Sequence, residues 1–185
     1  MNVVVINEYG HEIALKGLGL SYKDGCIPDT EWWDEAKYNK MRKVASALAK
    51  KGGGHSKFLE SIVVYLDVTA PRYWWSEFDT YRVGVTKNSE STMHKLTKRP
   101  VMHSDFETPI SECTLIEIND AIAAKLPINH IKGKLPESYL QRRIICTNYK
   151  VLQNIVWQRG THRLPEWKFF IRRLKQSLLH WEYIE

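Results

Sequence analysis

The side chains able to do chemistry in this sequence are scattered, and their spacing excludes more than it admits. There is no G-x-x-x-x-G-K-[ST] loop, no G-x-G-x-x-G after a strand and no G-x-S-x-G elbow. His55, His94, His103 and His130 lack close ligand spacing, and His162 sits between Thr161 and Arg163, so no metal site is expected. Cys26, Cys113 and Cys146 form no C-x-x-C pair, and their odd count argues against a disulfide scaffold. The run "KKGGGH" follows a helix and precedes a strand, the reverse of the order that puts a helix N-terminus on a phosphate, and reads as a helix stop. What remains is cationic and polar: Arg82, Arg159 and the run "KNSEST". Their plain readings are surface cations or core salt-bridge partners for the arginines and a solvated turn or cap for the run, since Asn and Ser bond their own backbone. His55 reads as a polar residue ending a helix or as a base. Trp74 and Trp75, with Tyr73 and Phe78, read as a core or subunit-interface cluster, or one of them as a stacking platform.

The elements that must position these residues follow from periodicity. "NVVVIN" is a short β-branched strand, and residues 10–22 a helix weakened by glycine. Asp29 or Thr30 is a candidate N-cap for a helix over 31–51, with Trp33, Ala36, Met41, Val44, Ala45 and Leu48 on one face. Gly52 to Gly54 stop it. Residues 60–71 read as a strand and 71–82 as an aromatic helix begun by Pro71. Residues 97–136 are irregular, with four prolines and a short helix over 110–125. A helix is expected from Glu137 to about Gln158 on the stripe Leu140, Ile144, Ile145, Leu152, Ile155 and Val156, and a terminal amphipathic helix over 166–181. Its "RRLKQ" segment reads as a solvated face. The sum is an α+β fold, mostly helical with a small antiparallel sheet, expected as one domain over 1–185.

Composition bounds the partners. The 185 residues are 43% hydrophobic and 26% charged, enough for a real core. The net charge of +6 suits a phosphate-bearing partner, but the basic residues are scattered and no nucleic-acid motif appears, so nucleic acid is not expected. The opening apolar run is too short for a signal peptide or membrane span, and a reducing cytoplasm is the expected location.

Two patches carry a family resemblance. In "GGHSKFLESIVVYLDVTAPRYWWSEFDTYRVGVTKNSESTMH", Gly54-His55, Ala70-Pro71, Thr80-Tyr81-Arg82 and Asn88 to His94 fall in the order of four landmarks of the flavin-dependent thymidylate synthases. Those landmarks are a Gly-His pair, an Ala-Pro helix start, an Arg-His-Arg triplet and an N-E-x-S-x-R pattern. In "NYKVLQNIVWQRGTHRLPEW", Asn148 and Arg159 keep the family's eleven-residue spacing. The patches cover about a third of the chain, and the tryptophan-rich version resembles a phage-associated branch.

The resemblance implies FAD and a deoxypyrimidine nucleotide held at the subunit junctions of a homotetramer, with the cofactor supplying the hard chemistry. It implies nucleotide contacts from Arg82, Asn88, Glu90, Ser91, His94 and Arg159, and cofactor contacts from His55, Tyr81 and Asn148. The departures are specific. Thr80 and Tyr81 replace the triplet's first Arg and its His, Glu77 replaces a Gln, Ser61 a second His, and Met93 the terminal Arg unless His94 takes its place. Losing about three such donors weakens an anion site by several kcal/mol, at roughly 1.5–3 kcal/mol each. Two functions therefore stay open: one-carbon transfer to the nucleotide, and a catalytically inactive phage protein that binds a nucleotide signal or a host protein.

Overall fold

A computed structural model describes residues 1–22 and 33–185. The Asp29/Thr30 cap expectation lies outside the described residues. Four strands, β1 (Asn2–Tyr9), β2 (Val63–Pro71), β3 (Thr86–Ser89) and β4 (Leu140–Asn148), form an antiparallel sheet in the order β1-β2-β4-β3. The helices are α1 (His11–Gly19), α2 (Glu35–Lys51), α3 (Arg72–Phe78), α4 (Thr92–Lys95), α5 (Glu112–Ala123), α6 (Ile128–Gly133), α7 (Tyr149–Arg159) and α8 (Pro165–Ser177). A run of 3-10 turns covers Gly53–Ser61. None of the described helices is long and apolar enough to cross a membrane.

The expected helix over 137–158 is the main correction. Its first half is the strand β4, and only its second half is the helix α7. The apolar stripe misled because Ile144 and Ile145 satisfy both periods, whereas β branching favours the strand. The boundary was written in Asn148, whose side chain accepts the Val151 amide hydrogen at 3.0 Å and caps α7. A second correction concerns "KNSEST", expected as a solvated turn or cap: Lys87 to Ser89 belong to the strand β3, and only Ser91 stands at the start of a helix, α4. The aromatic helix is also shorter than 71–82. It ends at Phe78, leaving Tyr81 and Arg82 beyond it.

The described chain divides into two compact units. Unit I comprises 1–2, 67–80 and 87–144; unit II comprises 3–66, 81–86 and 145–185. In unit I, Trp74, Trp75 and Phe78 are fully buried, confirming the core reading of the tryptophans. The Trp75 indole donates to the Gln141 carbonyl at 2.9 Å, and the Arg143 guanidinium lies 4.3 Å from the Trp75 ring centre. A separate apolar cluster of Val101, Phe106, Ile118 and Ile131, joined by Leu96, occupies the stretch that read as irregular.

In unit II, α2 starts at Asp34, which accepts the Lys37 amide hydrogen at 2.7 Å. Its buried stripe is Met41, Ala45 and Ala49, so the expected face is rotated, with Ala36 exposed and Val44 and Leu48 half-buried. Pro165 opens α8 at its first turn, and Trp167, Phe170 and Leu174 bury one face. The buried Gln153 amide donates to the Ala49 carbonyl at 3.1 Å and to the Tyr183 carbonyl at 2.8 Å, joining α2, α7 and the segment after α8. His11 stacks on His180 with ring centres 3.4 Å apart, and His11 Nε2 lies 3.0 Å from the Tyr183 hydroxyl.

Two tests follow from these contacts. Gly10 has φ +89°, and a Cβ there would lie 2.4 Å from the Ser61 carbonyl oxygen, whereas Gly53, at φ +53°, faces open space. Gly53→Ala should cost about 1 kcal/mol of left-handed strain and Gly10→Ala clearly more, read as urea midpoints. Burial, the neighbouring His180 and Arg42 push the His11 imidazole down from 6.5 to about 4, against the opposing pull of Glu182 and Glu12. The unfolded chain therefore binds this proton first as pH falls. The His11 contribution is fully present above about pH 6.5 and is lost as pH drops toward 4, and His11→Gln should flatten the melting-temperature profile over that window.

Candidate functional site

The loop after α3 sorts its side chains in opposite directions. The Thr80 hydroxyl turns back to donate to the Glu77 carbonyl at 2.7 Å, satisfying the end of its own helix. Tyr81 is buried in unit II. Its hydroxyl donates to Gln158 Oε1 at 3.0 Å and accepts from Arg159 Nε at 3.0 Å. The Arg159 guanidinium lies 4.9 Å from the Trp167 ring centre and 5.7 Å from that of Tyr81. This is a stacked cation with a hydrogen-bonded edge, a geometry that a lysine would not reproduce. Arg82 points to solvent and has no ion-pair partner among the described residues.

Two residues further on, the backbone passes close over the first turn of α7. Gly84 has φ +70°, and a Cβ there would lie 3.0 Å from both Asn148 Nδ2 and Val151 Cγ2. Asn148 uses its side-chain oxygen as the helix cap and lines a cavity of about 340 Å³ with Gly84, Lys150, Asn154 and Trp157. Trp157 is 53% exposed, an open ring face on this cavity. His55 is exposed within the 3-10 turns of unit II.

The remaining expected residues fall in unit I. Asn88 lies exposed on β3. Glu90 is fixed at its backbone, donating to the Arg142 carbonyl at 2.8 Å and accepting from Gln141 Nε2 at 3.2 Å. Its carboxylate pairs with Lys95. Ser91 precedes α4, its carbonyl accepting from the Lys95 amide at 3.1 Å, and His94 is exposed on that short helix. Glu90 and Lys95 also line a second cavity, of about 360 Å³, with Lys98, Arg99, Asp105 and Tyr139.

The structure thus brings Tyr81 and Arg159 into direct contact, sets Glu90, Ser91 and His94 along one turn, and gives Asn148 a cavity of its own. Sequence reasoning missed Gly84, Lys98, Arg99 and Tyr139. The run "KLTKRP", with three cations in five residues, was the available signal. No group of His, Cys, Asp and Glu able to hold a metal ion occurs among the described residues.

No family model matches the sequence, and no curated protein matches it. Solved structures do. A crystal structure of thymidylate synthase X (ThyX) from Helicobacter pylori with FAD and dUMP superposes with a TM-score of 0.78 at 16% identity, over 100% of this chain and 97% of that one. A second structure of the flavin-dependent ThyX from that organism, also with FAD and dUMP, gives 0.76 at 15% identity over 100% and 97%. The chain has the ThyX fold. The UMP/dUMP methylase PolB from Streptomyces cacaoi, bound with 5-Br dUMP, is similar at a TM-score of 0.69 and 14% identity, over 95% of this chain and 88% of that one. Within this fold the Tyr81 side chain is packed in unit II against Gln158 and Arg159.

Removing only the Tyr81 hydroxyl tests that packing. Tyr81→Phe should cost about 1–2 kcal/mol in urea unfolding, because Gln158 and the Arg159 Nε–H lose their shared partner while the ring stays buried.

Proposed function

We propose that this chain binds a pyrimidine nucleoside monophosphate, with a deoxypyrimidine nucleotide as the principal ligand. The observation that carries the reading is the full-length likeness to three structures that all hold dUMP or its 5-bromo analogue. Arg82 supports it as an exposed cation without an ion-pair partner among the described residues. The exposed Asn88 and His94, with Glu90, Ser91 and Arg159, complete the proposed nucleotide set, and a homotetramer is the proposed assembly.

The residues assigned to the flavin fit it poorly. Of the three residues assigned to it, Tyr81 is buried and engaged by Gln158 and Arg159, which leaves its hydroxyl committed. Asn148 Nδ2 and the exposed His55 imidazole are the donors left. They do not amount to a grip on FAD. That observation favours the second reading, a nucleotide binder on this fold that has lost catalysis, over one-carbon transfer.

Calorimetric titration with dUMP, dCMP and UMP tests the proposal. Saturable binding of dUMP is expected, with Arg82→Ala weakening it about tenfold through one lost charge-assisted bond. Absence of binding by all three nucleotides overturns it. Absorbance from 300 to 550 nm after incubation with FAD and re-isolation separates the two readings, since retained flavin bands restore the enzyme.

A further inference from the structure

In unit I the chain from Glu90 to Asp105 closes against Tyr139 around the cavity of about 360 Å³, with Leu96 and Val101 as its buried apolar part. This volume is in the range that accepts a small-molecule ligand. Its lining carries three cations and two carboxylates, and the carboxylates are already committed. Arg99 grips Asp105 with both terminal nitrogens, at 2.7 and 2.6 Å, and the Met102 amide donates to the same carboxylate at 2.9 Å. Glu90 is paired with Lys95. Lys98 has no carboxylate partner among the described residues.

Counting donors shows what the cavity can still bind. Lys98 keeps all three ammonium hydrogens, Lys95 keeps two, and Arg99 keeps its Nε–H and one terminal hydrogen. The Tyr139 hydroxyl makes no hydrogen bond among the described residues. Burial and the carboxylates of Asp105 and Glu90 raise its pKa, against Arg99, so it remains a donor. A surplus of donors and a net positive lining, with three cations against two carboxylates that each already hold a cation, disfavour a metal cation and favour a compact dianion with several acceptor oxygens.

We propose that this cavity binds the phosphate of a phosphate monoester, held by Lys98, Lys95, Arg99 and the Tyr139 hydroxyl. The identification of that monoester with a pyrimidine nucleotide rests on the function proposed above; the anion site itself does not. The site places the anionic grip on residues 95–99 and Tyr139, outside the positions that the sequence resemblance marks.

Nitrogen–proton NMR of the full chain, titrated in turn with inorganic phosphate, dUMP and deoxyuridine, tests this. Inorganic phosphate should shift the amides of residues 95–99 saturably. Lys98→Glu should weaken that response at least about tenfold, and Tyr139→Phe, which keeps the ring against Phe106, about threefold. Lys43→Glu, the same charge change on the exposed face of α2, should leave it unaltered. No phosphate response at 95–99, an unchanged affinity in Lys98→Glu, or equal weakening by Lys43→Glu overturns the proposal. If phosphate shifts these amides and dUMP does not bind, the anion site stands and the nucleotide reading falls. If dUMP binds with shifts confined to other residues, the nucleotide reading stands and this cavity falls. Shifts at 95–99 with dUMP but not with deoxyuridine assign the cavity to the nucleotide's phosphate.

Discussion

Asp79 is held by two cations from different strands, and the geometry of unit I depends on it. Arg143 of β4 reaches it at 2.9 and 3.1 Å, and Lys87 of β3 at 2.6 Å. Arg143 also lies on the face of Trp75, so one side chain fixes both the end of α3 and the ring at its centre. Burial pushes the Asp79 carboxyl up, but the hydrogen bonds from Lys87 and Arg143 outweigh it and keep the group below the usual carboxylate range. The aromatic bulk and the polar run that follows are consecutive for this reason. The rings give α3 an immovable base, and the carboxylate at its end ties down the strand that carries Asn88 and leads to Glu90.

Much of this was legible in the sequence where one signal dominated. The helices α5 and α8 follow from a single period and a clear start, Ser111 accepting the Thr114 amide hydrogen at 3.1 Å and Pro165 opening the last helix. The buried tryptophans were legible because bulk on a seven-residue helix has few other places to go. The β4–α7 boundary was not, because Ile144, Ile145, Leu152 and Ile155 satisfy the helical period across a change of structure. β3 was hidden for the opposite reason: "TKNS" contains only polar side chains and is a strand by backbone pairing alone.

The site was legible in composition and less so in role. Arg82 and Arg159 looked equivalent as isolated arginines, yet one is exposed and the other rests on two rings. That difference depends on Tyr81 and Trp167, which meet Arg159 only in the folded chain. The cations of "KLTKRP" were visible, but their meeting with Tyr139 was not, because it needs about forty residues to fold around the cluster of Leu96, Phe106 and Ile118.

Gly84 carries a consequence for how this chain can change over time. Its neighbour Val83 is 89% exposed and touches little, so that position is free to drift. Gly84 is confined from both sides, by its own backbone and by an amide on another element. Relieving the contact with Asn148 and Val151 would leave the positive φ in place, so glycine stays required there. Position 84 is fixed twice over, by its own left-handed backbone and by the capped turn that closes on it, whereas Asn148 answers first to the start of α7.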